Sequence, residues 1–117
     1  MTTFVLSGDL RATTFSAVRE SLAVLGPAIT VHHDVDFDWR EPGAVDVTFE
    51  SSSPLHGRDF DYLVRGTIDD QLDAAIARVQ RIAEALDRRG VAYRFELDRD
   101  DNDGDTVAIQ SRTFPGY

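Results

Sequence analysis

Val31-His32-His33-Asp34-Val35-Asp36-Phe37-Asp38-Trp39-Arg40 is the stretch whose reading decides the fold. Val31, Val35, Phe37 and Trp39 occupy odd positions, and His32, Asp34, Asp36, Asp38 and Arg40 occupy even ones. Side chains of a strand point alternately to opposite faces, so this alternation predicts a strand with one buried face and one wet face. The wet face is a line of carboxylates with an imidazole at one end. Aspartate is a poor strand former, so packing on the apolar side has to hold such a strand in place.

The strand is expected over Ala28–Arg40, followed by a turn at Glu41-Pro42-Gly43. Ala44–Ser51 alternates again, with Val45, Val47 and Phe49 on one face and Asp46, Thr48 and Glu50 on the other. The pair reads as a hairpin. Keeping apolar residues on a common face requires an odd number of loop residues. One such register opposes Asp38 to Asp46 and Asp34 to Glu50, like charge on like charge. The other sets Arg40 against Asp46, Asp38 against Thr48 and Phe37 against Phe49, with Asp36 facing Glu50. The second, with a five-residue connection around Pro42-Gly43, is the expected one.

Outward from this hairpin, Phe4-Val5-Leu6 marks a first, central strand over Thr3–Ser7, ended by Gly8-Asp9. Phe15, Val18, Leu22 and Leu25 recur at helical spacing, predicting a helix over Thr14–Leu25, capped by Thr13 or Thr14 and stopped by Gly26-Pro27. Ser51–Gly57 reads as a loop, and Asp59–Arg65 as a fourth alternating strand ended by Gly66. Thr67–Arg89 carries an apolar stripe of Ile68, Leu72, Ala75, Ile76, Val79, Ile82, Ala83 and Leu86. It is expected to be a helix with Thr67 as N-cap and Gly90 just past its end. Strands Val91–Asp98 and Thr106–Arg112, joined by a polar turn over Arg99–Asp105, complete the order β-α-β-β-β-α-β-β.

Strands with one polar face and helices with one apolar stripe make a two-layer α+β sandwich. The sheet is mostly antiparallel, both helices lie on one of its faces, and a ferredoxin-like variant is among the arrangements this order allows. At 117 residues the chain is expected to be a single domain spanning 1–117. Its aromatics Phe37, Trp39, Phe49, Phe60, Tyr62, Tyr93 and Phe95 sit at strand spacing and are expected in the core.

Apolar residues make up 42% of the chain, enough for a core. Cysteine is absent, which excludes disulfides, thiol chemistry and thiolate-bound zinc. The net charge is −9, from 16 Asp, 5 Glu and 12 Arg, with no Lys. This balance disfavours nucleic acid, whose phosphates require clustered cations. No apolar run reaches the roughly 20 residues of a membrane helix, and the first residues do not resemble a secretion signal. A cytoplasmic protein that binds neither membrane nor nucleic acid is the expectation.

Three functional readings follow. The first is a small non-catalytic acidic binding or regulatory protein, acting through an open sheet face or a strand edge. Its docking residues would be His32, Asp34, Asp36, Asp38, Asp46 and Glu50, and its partner a basic protein or a second copy of itself. The second is a small-ligand or weak divalent-cation binder. Same-face neighbours stand ~6.6–6.8 Å apart, within reach of one hard cation, and Asp34, Asp36 and Glu50 are the candidate ligands. No other cofactor is expected.

The third reading, an enzyme with a pocket between sheet and helices, ranks last, since no nucleophile–base pair stands out. Ser51–Ser53, His56, Asp59 and Asp61 have the residue types of a hydrolytic triad but no nucleophile elbow. Asp98–Asp105 is acidic, yet its glycine and its final ligand fall out of register for a calcium loop. His32 and His33, adjacent in a strand, would point to opposite faces, leaving His33 at the apolar edge and His32 on the stripe.

Overall fold

The structure, a computed structural model, describes residues 2–12, 14–33, 35–52, 60–99 and 106–112, with side chains described except at 52, 60 and 106–112. The elements are β1 (Thr2–Ala12), α1 (Phe15–Leu22), a 3-10 segment (Ala23–Ala28), β2 (Ile29–His32), β3 (Asp36–Glu41), β4 (Val45–Ser52), β5 (Phe60–Asp70), α2 (Leu72–Arg88), β6 (Ala92–Arg99) and β7 (Thr106–Arg112). All seven strands form one antiparallel sheet in the order β2-β3-β4-β5-β1-β6-β7. The two helices lie on one face, giving an α+β sandwich. β1 is inserted between β5 and β6, the parallel strands that α2 connects, which is the split β-α-β arrangement of ferredoxin-like folds. Among the described residues no helix is long and apolar enough to cross a membrane.

The hairpin register expected from charge, which keeps Asp38 from Asp46 and Asp34 from Glu50, is the one formed. Arg40 pairs with Asp46, Asp38 with Thr48 and Phe37 with Phe49. The connection is shorter than the expected five residues, because Glu41 also pairs with Val45; Pro42-Gly43-Ala44 makes the turn, closed by the Ala44 N–H donating to the Glu41 carbonyl at 2.9 Å. The preceding strand is different. Ala28–Arg40 is not continuous: β2 and β3 are separate strands, and His33 (φ 49°) and Val35 between them lie in turn conformation. Thr30 pairs with Asp38 and His32 with Asp36. This pairing preserves alternation, because the residues facing one another keep the same parity; periodicity alone could not reveal the break.

Two glycines that read as strand breakers lie inside strands. A Cβ on Gly66 would come within 2.2 Å of the Asp46 carbonyl oxygen, and one on Gly8 within 2.2 Å of the Arg94 carbonyl oxygen. The neighbouring backbones approach too closely for any side chain. Consequently β1 continues to Ala12 and β5 to Asp70, eleven residues each. Thr67 and Ile68 therefore belong to β5, and α2 begins at Leu72 after the cap residue Gln71. It has 17 residues, about 25 Å at the α-helical rise. At its end Gly90 (φ 72°) donates to the Asp87 carbonyl and Val91 to that of Leu86, the paired bonds of a Schellman cap. α1 ends at Leu22, short of the expected Leu25, and its cap is Thr14, whose hydroxyl accepts the Ala17 N–H at 3.1 Å.

The core lies between helices and sheet. From the sheet come Phe4, Leu6, Leu10, Phe37, Trp39, Val47, Phe49, Tyr62, Val64, Ile68, Tyr93, Phe95 and Leu97; from the helices Val18, Leu22, Val79, Ile82 and Leu86. The Phe15 ring stacks on Phe37 with 5.4 Å between centroids. Across the layers, Arg78 of α2 donates to Glu41 (2.6 Å) and Asp70 (3.1 Å), while Trp39 Nε1 donates to the other Glu41 oxygen (2.8 Å). The expected inward positions of Phe60, Val107 and Ile109 lie outside the described side chains. The loop at 53–57, the acidic turn at 100–105 and the tail at 113–117 lie outside the described residues.

Candidate functional site

Alternation sends every second residue of β1, β3, β4, β5 and β6 away from the helices, onto a face that no described element covers. The paired registers lay this face out in rows across the strands. One row runs Asp38, Thr48, Arg65, Ser7, Glu96. The next runs Glu50, Leu63, Asp9, Arg94. Arg40, Asp46, Thr67, Val5 and Asp98 form the row on one side, with Asp61 and Arg11 on the other. Acidic side chains outnumber arginines here, so the face is negative but mixed.

The described stripe residues have separate surroundings. Asp36 accepts the Ser51 N–H at 2.8 Å, fastening the end of β4. Asp38 lies 3.1 Å from His32 Nδ1 and accepts a 3.4 Å bond from the Thr48 hydroxyl. Asp46 pairs with Arg40 at 3.3 Å, where both side chains are well exposed. Glu50 is exposed and has no hydrogen-bonding or ionic partner among the described residues. Asp34 lies outside the described residues. Among the described residues no three His, Asp or Glu side chains converge as a metal site requires. His33 is an exposed turn residue, not a core-edge histidine.

What the stripe borders was not read from the sequence. Leu63 sits on the open face, 39% exposed, at the meeting of two shallow depressions. One, of about 170 Å³, is lined by Ser7, Gly8, Asp9, Leu63, Arg94 and Glu96. The other, of about 240 Å³, is lined by Thr48, Glu50, Leu63 and Arg65. Arg65 is exposed and, like Glu50, has no hydrogen-bonding or ionic partner among the described residues. A signal was available: in Phe60-Asp61-Tyr62-Leu63-Val64-Arg65, Leu63 is the apolar residue that breaks the polar side of the alternation.

Shifted titrations occur elsewhere. Burial pushes the Tyr62 phenol up to about 12, helped by the Asp36 carboxylate. The Tyr62 hydroxyl donates to the Val35 carbonyl at 2.7 Å and so pins the β2–β3 turn to β5. For Glu41, burial works upward, but the hydrogen bonds from Arg78 and Trp39 outweigh it and hold the carboxyl below its ordinary value. The Gln71 N–H and then Arg78 do the same for Asp70. These groups tie turn, sheet and helix together, and none of them lines either depression. No family model matches this chain, nor does any curated protein or solved structure.

Proposed function

We propose that this is a small binding or regulatory protein that acts without catalysis and docks a basic protein partner on its open sheet face. The carrying observation is Leu63, an exposed apolar side chain set between two depressions and flanked by the charges of Glu50 and Arg65, which have no partner among the described residues. An apolar contact ringed by polar groups is the usual anatomy of a protein-binding patch. The excess of carboxylates gives the partner its sign: a surface rich in Arg or Lys gains from approaching this face, and an acidic one is repelled.

The test is capture from an extract of the source cells by immobilised wild type, Leu63→Asp and Glu50→Arg. Circular dichroism and thermal melts confirm folding. The expected result is a basic protein retained by wild type at ~0.1 M salt and released near 1 M, where the screening length shrinks to ~3 Å. Both variants should retain much less of it. Equal retention by all three proteins, or indifference to salt, overturns the reading.

A further inference from the structure

We infer that β2 is a pairing edge: two copies of the chain join β2 to β2 antiparallel about a two-fold axis, so that the sheet runs on from one molecule into the next. This surface is distinct from the open face and does not rest on its proposed role.

The charge distribution singles out the sheet's margins. The inner strands β1, β3, β4, β5 and β6 all carry carboxylates, as expected for a chain of net charge −9. The outermost strands, β2 (Ile29-Thr30-Val31-His32) and β7, carry none. Proteins commonly protect a strand edge with charged residues, proline or a bulge, because its unpaired N–H and C=O groups invite another strand. β2 has no carboxylate, Arg, proline or bulge. Val31 adds an apolar contact: it is on the helix-covered side, opposite Phe37, yet 51% exposed. The open face, by contrast, would bring like charges together if two copies met through it.

Symmetry narrows the register. A two-fold perpendicular to the sheet keeps both helix layers on the same side, so residues opposed across the junction must share a face. Their numbers then have the same parity, and one residue falls on the axis opposite itself. Within β2 that residue is Thr30 or Val31. In the first case Val31 meets Ile29 of the partner subunit, and in the second it meets its own copy. Neither register opposes two carboxylates. With only four residues per edge, the association is weak and set by concentration.

Sedimentation velocity over a concentration series tests this, using wild type, Val31→Asp, Val31→Ile and Leu63→Asp. Wild type should pass from monomer to dimer, more readily at high salt, because screening relieves repulsion between the acidic chains. Val31→Asp should raise the dissociation constant about tenfold or more, while Val31→Ile and Leu63→Asp keep it near the wild-type value. Amide exchange at whichever of Thr30 and Val31 turns its N–H away from β3 should slow as concentration rises. A chain that stays monomeric throughout, or a dimer that Val31→Asp leaves intact, overturns the inference. The opposite salt response separates its failure from that of the docking face.

Discussion

On the helix side of the sheet, Trp39, Phe49, Val64 and Leu10 are completely buried, whereas the same strands present Asp38, Glu50, Leu63 and Asp9 on the other side, partly or fully accessible to water. The helix-side residues are held by close packing, where a lost methylene is felt immediately. Their open-face neighbours are held by exposed or half-exposed polar contacts such as Arg11 to Asp61 (3.0 Å) and Arg94 to Glu96 (2.9 Å). Exposed pairs of this kind contribute roughly 0–1 kcal/mol. Folding therefore dictates one face closely and leaves the other nearly free, so the open face's chemistry is where function can be written without cost to the fold.

The contrast can be broken hardest from the buried side. Trp39→Ala should cost about 3–5 kcal/mol in urea unfolding, since it removes a fully buried ring and leaves a cavity. Gly66→Ala should cost on the order of 2–3 kcal/mol, because its methyl group collides with the β4 backbone and something must shift. A wild-type melting temperature for Gly66→Ala would show that the strands are not that close.

Arg78→Met comes next, at about 1–3 kcal/mol, by removing the charged donor shared by Glu41 and Asp70. It also has a pH signature. Both carboxyls titrate lower in the folded protein than their ordinary values of 4.5 and 3.8. Their contribution to stability is thus present above those values and is lost as pH falls through the lowered folded values. Arg78→Met should flatten that acid-side decline, which denaturation curves at successive pH values would record. The smallest effect belongs to the open face: Leu63→Asp should stay within about 0.5 kcal/mol of wild type.

The sequence foretold the sandwich, the bounds of β7 and the β3–β4 register. Those features rest on alternation and charge opposition, which act between neighbours and are visible in the chain. The β2–β3 turn was hidden because His33 and Val35 carry no Gly or Pro signal and the turn preserves parity. Gly8 and Gly66 misled because the same residue marks both a break and a close approach, and only the packed sheet distinguishes them. Of the stripe, Asp36, Asp38, Asp46 and Glu50 do share a polar face with His32 by register. Leu63 and Arg65 were overlooked, since they join that face only through the pairing of β4 with β5.

The most direct measurement uses the leucine and valine methyl groups as reporters on both faces at once. A basic partner recovered by salt-sensitive capture is titrated into methyl-labelled protein and followed by NMR. The Leu63 methyl signals should shift on binding, while those of Leu10, Leu22 and Val64 on the buried side stay in place. A partner that binds and moves the Val31 or buried-side methyls while leaving Leu63 unchanged would contradict that expectation.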